Sequence, residues 1–306
     1  MELPSNLKQL YRHWIFHTVS PKNNFLPEDI FLDIELFDEI SGFINERMSV
    51  WKKKVSNERF PYTEDPILRT YRFCNIFREF DRQTIEFHTL LNPIRKNFPL
   101  WLLNMFYCRM LARFETIQAV GLLSFDEQEN ETLYQRLIES PRPRFGTPYV
   151  FPVSVILKSE TPTRELFIVR YLPRIMKDVA KEISEWDKKS VFDGVKKVNS
   201  IFHYNLNFLW TEVLIDVAYQ FPKYIDLFSN FPIGPGSSPT IQRINPKEDS
   251  TMLVAKLACI AFATGITYDN KTLRLSAENW EGIGCEFRKY TNLKEGKGRK
   301  RLFHQN

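Results

Sequence analysis

The stretch FPIGPGSSPTIQRIN, Phe231–Asn245, concentrates turn-forming glycines and prolines shortly after a long apolar run, LNFLWTEVLIDVAYQF, Leu206–Phe221. Glycine tolerates backbone conformations that other residues avoid, and proline ends helices. The pattern therefore predicts two helices joined by a tight Gly-Pro-Gly corner, a helix-hairpin-helix near residues 205–245. Exposed backbone amides at such a corner can bind a phosphate of DNA.

The composition is that of a soluble globular protein. Of 306 residues, 43% are apolar and 26% are charged, and the chain is long enough for one large domain or two modest ones. The 26 phenylalanines, against 11 glycines, favour a helical core. The sequence contains no charge-poor run of about 18 apolar residues, so no membrane span is predicted. Because residues 1–14 lack the apolar core of a signal peptide, we expect a protein that is not secreted. It would lie in the cytoplasm of a bacterial or phage-infected cell, or in a eukaryotic nucleus.

Hydrophobic periodicity predicts helices along most of the chain. A long helix is expected within residues 60–91, where one buried stripe is formed by Phe73, Ile76, Phe77, Phe80, Phe87 and Leu91. The other predicted helices are 28–56, 99–121, 126–139, 173–187, 190–221, 222–230, 238–244, 248–263 and 276–291. Two stretches rich in β-branched and aromatic residues, TPYVFPVSVILKS and RELFIVRYL, predict one small β-hairpin near residues 147–172. The expected fold is mainly α, a single two-lobed helical domain over residues 1–306.

The cysteines and histidines predict neither a metal nor a cofactor. The four cysteines are widely separated, which argues against a structural zinc, a disulfide framework and a cysteine-ligated iron–sulfur cluster. His13 and His17 have the i, i+4 spacing that can ligate a metal, but two solvated histidines near a terminus are the expected arrangement.

Two basic segments accompany the formal net charge of +5. The tail 288–306, RKYTNLKEGKGRKRLFHQN, carries seven basic residues and one acid, and WKKKVSNERF spans Trp51–Phe60. Each segment is either a solvated face or a surface that follows DNA phosphates.

A first polar cluster lies within the predicted long helix. Its members are Arg72, Asn75, Arg78, Glu79, Asp81 and Arg82. They form either an exposed face with local ion pairs or part of a central site.

Asp216 is a lone carboxylate among Leu, Ile, Val and Ala. Burying it unpaired would cost several kcal/mol, so it must face water, a cation or a catalytic pocket.

A third polar group occurs in ENWEGIGCEFRKY, where Glu286 and Lys289 are expected to project together away from an apolar stripe. Gly282 and Gly284 each weaken a helix by about 1 kcal/mol relative to Ala, which is tolerable where a neighbour packs closely. Asp249, in NPKEDS, is interpreted as a helix cap.

These motifs, taken together, resemble a known family. The strings ERMSVWKKK…FPYTEDPILRTYRFCNIFREFDRQT, LIDVAYQF…IGPGSS and CEFRKYTNLKEGKGRKRLF are similar to the thymine-hypermodification group. That group comprises the alpha-glutamyl/putrescinyl thymine pyrophosphorylase proteins and the helical domain attached to 5-hydroxymethyluracil DNA kinases. The resemblance implies a DNA-glycosylase-like helical fold with a helix-hairpin-helix.

The resemblance also implies a site and partners. A pocket for an extruded base would be formed by Arg72, Asn75, Arg78, Asp81, Asp216, Glu286 and Lys289. The DNA backbone would be contacted by Gly234, Gly236, Ser237, Ser238, Arg299, Lys300 and Arg301. The expected partners are double-stranded DNA that carries a modified thymine or uracil, and an amine or amino-acid donor. The sequence has no Gly-x-x-x-x-Gly-Lys-[Ser/Thr] motif and no kinase domain, so phosphorylation would need a separate DNA base kinase.

The implied reaction transfers an amine or amino acid onto 5-pyrophosphoryloxymethyluracil in DNA after base flipping. Two alternatives stay open at this point. One is a DNA glycosylase that releases a modified base, and the other is a helical module that binds DNA for a separate 5-hydroxymethyluracil DNA kinase.

Overall fold

The computed structural model describes residues 1–146, 159, 161–202, 204–298 and 301–303, and helices dominate it. The α-helices, in chain order, are α1 (Ser5–Leu10), α2 (Trp14–His17), α3 (Pro27–Ile30), α4 (Ile34–Val55), α5 (Pro66–Thr70), α6 (Arg82–Leu91), α7 (Phe98–Leu111), α8 (Phe114–Val120), α9 (Glu127–Glu139), α10 (Arg164–Leu166), α11 (Leu172–Ser184), α12 (Val191–Phe202), α13 (Asn207–Gln220), α14 (Ser238–Ile244), α15 (Ser250–Leu257) and α16 (Ala277–Lys294). Short 3₁₀ turns occur at Arg78–Phe80 and Asn92–Ile94, and a π-helical turn, Phe167–Tyr171, joins α10 to α11. The mainly α prediction is confirmed.

Two small sheets complete the described secondary structure. Strands β1 (Lys189–Ser190) and β2 (Ile225–Asp226) pair in parallel, with Lys189 opposite Ile225. Strands β3 (Thr267–Tyr268) and β4 (Lys271–Thr272) pair antiparallel, with Thr267 opposite Thr272.

The chain divides into two compact units. Unit 1 combines both ends of the chain, Met1–Asp81 and Leu227–Asn306, and unit 2 is the middle, Arg82–Asp226. Each unit has its own core: Ile44 of α4 and Leu253 of α15 are fully buried in unit 1, and Leu102 of α7, Met176 of α11 and Val213 of α13 are fully buried in unit 2.

Helix α16 belongs to unit 1, and its sequence explains where the helix begins. Ser276 and Asn279 form a reciprocal capping box that satisfies backbone amides of the first turn. Trp280, Ile283 and Phe287 follow at helical spacing and are buried. The predicted helix 276–291 is thereby confirmed.

The predicted long helix within 60–91 is wrong. Helix α5 ends at Thr70, the backbone is not helical from Tyr71 to Phe77, and α6 begins only at Arg82. The amides and carbonyls of this segment are bonded by tertiary partners instead, for example the Arg72 amide by the Arg301 carbonyl at 2.9 Å. The apolar residues of the predicted stripe are buried as expected, although one helix does not carry them.

Other predicted elements also differ from the structure. The predicted helices 28–56 and 99–121 are each two helices, α3 with α4 and α7 with α8. The second strand of the predicted hairpin is helical, as α10 and the turn Phe167–Tyr171, because the short apolar run at residues 166–169 fits a buried helix as well as a strand. The first strand lies outside the described residues. The predicted helix 222–230 is a loop that contains β2. The predicted helix 190–221 is two helices, α12 and α13.

In the described part of the chain, no helix combines the length and the hydropathy needed to cross a lipid bilayer.

Candidate functional site

Glu286 is the centre of a polar cluster in unit 1. It lies on α16 and is 6% exposed. Its Oε2 accepts a hydrogen bond from the backbone amide of Cys74 at 3.1 Å, and its Oε1 pairs with Lys289 Nζ at 2.6 Å. Lys289 is one helical turn further along and remains exposed. Helical spacing on α16 thus places a buried carboxylate beside a surface cation.

Asn75 and Asp81 form a second pair in the same unit. The backbone amide and the side-chain Nδ2 of Asn75 both donate to Asp81 Oδ1, at 3.0 and 2.9 Å. The 3₁₀ turn Arg78–Phe80 brings these two residues back together, which a continuous helix would not do. Two donors on one oxygen fix the direction of the Asp81 carboxylate.

Arg47 contacts the segment just before Asn75, and the sequence-based site did not include it. Its Nη2 donates to the carbonyls of Phe73 and Cys74, both at 3.2 Å. Burial lowers the pKa of this guanidinium, while the carboxylates of Glu286 and Asp81 act in the opposite direction. We name the set formed by Arg47, Asn75, Arg78, Asp81, Glu286 and Lys289 the unit-1 polar cluster.

The electrostatics of the unit-1 polar cluster couple its two carboxylates. Burial raises the pKa of Asp81 to about 6, against hydrogen bonds from Asn75 and the positive charge of Arg78, and Glu286 adds to the rise. Burial opposes the charge on Lys289, but its pKa is raised overall by the charge of Glu286 and their hydrogen bond. The cluster therefore combines two carboxylates, of which Asp81 has a raised pKa, with neighbouring cations, which suits both anion binding and proton transfer.

Arg47 could have been found from a pattern in the sequence. The buried face of α4 is formed by Leu36, Ile40, Phe43, Ile44, Arg47, Met48, Val50 and Trp51. An arginine at that spacing must be paired when it is buried, so its position predicted acidic or carbonyl partners.

Arg72 and Arg301 belong to a basic surface of unit 1. Both are exposed, and the amide of Arg72 donates to the carbonyl of Arg301 at 2.9 Å. Phe303 stacks on Phe60 with ring centroids 6.0 Å apart, and Lys54 Nζ lies 6.0 Å from the centroid of the Phe303 ring. The two basic segments identified in the sequence therefore meet on one surface. Arg299 and Lys300 lie outside the described residues.

The Gly-Pro-Gly corner packs against α16. The Gly234 amide and the Ser237 hydroxyl both donate to Glu281 Oε1, at 3.1 and 2.6 Å, and Ser237 is fully buried. A Cβ at Gly236 would lie 2.7 Å from Cys285 Sγ, so the corner needs glycine for close packing.

In this conformation Ser237 and Gly234 both donate to the carboxylate of Glu281, and the phosphate contacts expected from them stay predictions. Ser238 begins α14 and is half-buried. The helix before the corner, α13, ends at Gln220, well before Ser238, so the expected tight turn between two helices is not the observed connection.

Asp216 lies in unit 2 and is fully buried. Its Oδ2 accepts from Arg109 Nε at 2.6 Å, and its Oδ1 accepts from Arg109 Nη2 at 2.7 Å and lies 3.0 Å from His88 Nε2. The sequence left three possible environments for this carboxylate: water, a cation or a catalytic pocket. In the structure it is paired with a cation, Arg109. The bidentate ion pair with Arg109 gives Asp216, on α13, a structural role in the core of unit 2.

His13 and His17 are not the solvated pair expected from the sequence. They are 2% and 0% exposed. His13 Nε2 lies 2.6 Å from Glu79 Oε1, and His17 Nδ1 lies 2.8 Å from the carbonyl oxygen of Arg274. Burial and the neighbouring His13 lower the pKa of His17 to about 3, which favours the neutral imidazole. The expectation failed because tertiary contacts cover both rings, with Glu79 at His13 and with Arg274 and Phe228 at His17.

Comparison with known proteins gives the family. The family model described as 5-hmdU DNA kinase, helical domain, matches residues 34–299. The chain is also 30% identical over 131 residues to the 5-hmdU DNA kinase of Bacillus phage SP10, a match that covers 40% of this chain and 21% of that protein. No solved structure matches the chain significantly.

The family match includes most of both units, and it contains every member of the unit-1 polar cluster. The resemblance inferred from the sequence motifs is thereby confirmed. The chain belongs to the family of 5-hmdU DNA kinase helical domains.

Proposed function

We propose that this chain acts in DNA base hypermodification and transfers an amine or amino acid onto a 5-pyrophosphoryloxymethyluracil in DNA, with the unit-1 polar cluster as its reaction site. The observation that carries the proposal is the hydrogen bond from the Cys74 amide to Glu286, which places the Glu286–Lys289 pair beside the segment that carries the Asn75–Asp81 pair, although the two pairs are distant in sequence. Family membership supports a hydroxymethyluracil context, because the relative from Bacillus phage SP10 is a 5-hmdU DNA kinase.

The chemistry requires a site that binds a diphosphate and accepts a proton. The amine nitrogen attacks the exocyclic methylene carbon and forms a C–N bond, while the C–O bond to pyrophosphate breaks and pyrophosphate leaves with the electron pair. Arg78 and Lys289 would stabilise the charge on the leaving pyrophosphate. Glu286 would accept the proton that the amine loses. The target base must leave the helical stack to reach these groups.

DNA binding is assigned to the basic surface formed by Lys54, Arg72 and Arg301. These side chains are exposed, and they lie in the same unit as the polar cluster. Phosphate contacts of this kind supply affinity without sequence preference and make binding sensitive to salt.

The experiment that tests this proposal is mass spectrometry of nucleosides. DNA that contains pyrophosphorylated hydroxymethyluracil is incubated with the full chain and a mixture of amines and amino acids, digested and analysed. A new nucleoside whose mass equals 5-hydroxymethyl-2′-deoxyuridine plus the donor, minus water, is the expected result. Heat-denatured protein and DNA with unmodified thymine are the controls.

Two other outcomes would overturn transfer and identify an alternative. Release of a free base and an abasic site would indicate a glycosylase. Salt-sensitive DNA binding with no product from any donor would indicate a module that presents DNA to a separate kinase. The second alternative has its own support, since the matched region is 21% of a protein named for kinase activity.

A further inference from the structure

Three ligand-type side chains meet in unit 1 outside the polar cluster. They are His13, the residue just before α2, His17, the last residue of α2, and Glu79 from the turn Arg78–Phe80. Each offers a ligand atom, and these atoms all lie within 4.8 Å of one another. The chain brings them together over a sequence separation of 66 residues between His13 and Glu79.

The surroundings of this group are apolar and aromatic. All three residues are at most 2% exposed. The ring centroids of Trp14 and Phe228 lie 5.6 and 4.9 Å from that of His17. A dry, aromatic environment makes a buried polar atom costly unless a partner satisfies it.

His17 shows where such a partner is needed. Its Nδ1 must donate to the Arg274 carbonyl, because a carbonyl oxygen only accepts. In the neutral ring this leaves the lone pair on Nε2, and Nε2 has no hydrogen-bond partner among the described residues. A histidine that ligates a metal commonly anchors its other nitrogen on a backbone carbonyl in this way.

We propose that His13, His17 and Glu79 bind one divalent first-row transition metal ion. Two imidazoles and one carboxylate are the ligand set of catalytic zinc sites and of non-haem iron sites. Magnesium and calcium prefer oxygen ligands, so they fit this group poorly. The proposal reverses the expectation of no metal that the sequence alone supported.

A metal here would also support the polar cluster. Glu79 lies between Asn75 and Asp81 in the sequence, on the turn that brings these two residues together. An ion held by Glu79 and the two histidines would tie this turn to α2. We therefore assign it a positioning role, which does not depend on the transfer reaction.

The test is zinc binding by the full chain. The protein is treated with a chelator, dialysed against micromolar Zn²⁺ and analysed for bound metal and for thermal unfolding. We expect one zinc per chain and a higher melting temperature with zinc. We expect zinc affinity to fall more than about tenfold in Glu79→Gln and His17→Gln. His88→Gln, which removes a buried histidine of unit 2, should retain zinc.

A spectroscopic measurement on the unaltered chain covers the case in which a variant does not fold. Co²⁺ bound to nitrogen and oxygen ligands should give visible d–d bands without the near-ultraviolet charge-transfer bands of a thiolate. Three results would each overturn the proposal: thiolate bands, zinc that persists in the double variant His17→Gln/Glu79→Gln, or no binding of either ion. None of these readouts depends on DNA modification, so their failure is separate from failure of the proposed function.

Discussion

The backbone amide of Cys74 donates a hydrogen bond to Glu286 Oε2 at 3.1 Å, although 212 residues separate them. This contact fixes the non-helical segment that carries Asn75 against the C-terminal helix α16. It is the link through which residues from the two ends of the chain form one polar cluster.

Glu286→Gln should reduce the proposed transfer by about 100-fold or more, the usual effect of removing a positioned proton acceptor. Glutamine can still accept from the Cys74 amide, but it neither takes the proton nor pairs with Lys289. The rate of formation of the new nucleoside is the measurement. Glu139→Gln, an exposed glutamate on α9 in unit 2, is the matched control and should be fully active. Normal activity in Glu286→Gln would exclude Glu286 as the acceptor.

Arg72→Ala/Arg301→Ala should weaken DNA binding and reduce its dependence on salt. Two fewer phosphate contacts lower the slope of log affinity against log salt by about 1.8 on duplex DNA. Titrations at several salt concentrations measure that slope. Lys181→Ala/Lys247→Ala removes the same charge from other exposed positions and should leave the slope unchanged. Equal slopes in both double variants would place the DNA elsewhere.

Asp216→Asn should destabilise the protein, because it leaves the buried guanidinium of Arg109 without its counter-ion. We expect the free energy of unfolding to fall by about 3 kcal/mol, measured by urea denaturation. Asp216→Leu/Arg109→Met, which removes both charges, should recover part of the loss. If Asp216→Asn instead keeps full stability and loses only transfer, Asp216 has the catalytic role expected from the sequence.

Asp249→Ala should cost about 1 kcal/mol of stability, since the Asp249 carboxylate caps α15 by accepting from the amides of Thr251 and Met252. Hydrogen bonds from Thr251 and Met252 lower the pKa of Asp249. Asp249→Asn, which can also cap, should be close to the parent chain in both stability and activity. A loss of stability in Asp249→Asn as large as that in Asp249→Ala would contradict the capping role.

Gly282→Ala and Gly284→Ala should have opposite effects on stability, although both glycines lie in α16. A Cβ at Gly282 meets nothing within 4 Å, so alanine should stabilise the helix by up to about 1 kcal/mol. A Cβ at Gly284 would lie 3.1 Å from Ile241 Cδ1, so alanine should destabilise by about 1 kcal/mol or more. Thermal unfolding of the two variants compares them directly. Equal gains would mean that α14 and α16 are not closely packed at Gly284.

The sequence by itself determined the helical class, most helices with strong periodicity and the burial of the apolar stripe between Phe73 and Leu91. Helices α9 and α16 follow from local caps and apolar spacing, which need no distant partner. The same local signals identified Asp249 as a cap. The motifs also led to the correct family.

Only the tertiary structure decided which polar residues meet. The segment from Tyr71 to Phe77 has helical spacing, but its backbone bonds with Arg47, Glu286 and the tail, so distant partners replaced the helix. Asp216 and His17 were visible as unusual residues, yet their partners Arg109 and Arg274 are far away in sequence. Local patterns report periodicity and caps, whereas the pairing of buried charges depends on long-range contacts that no local pattern encodes.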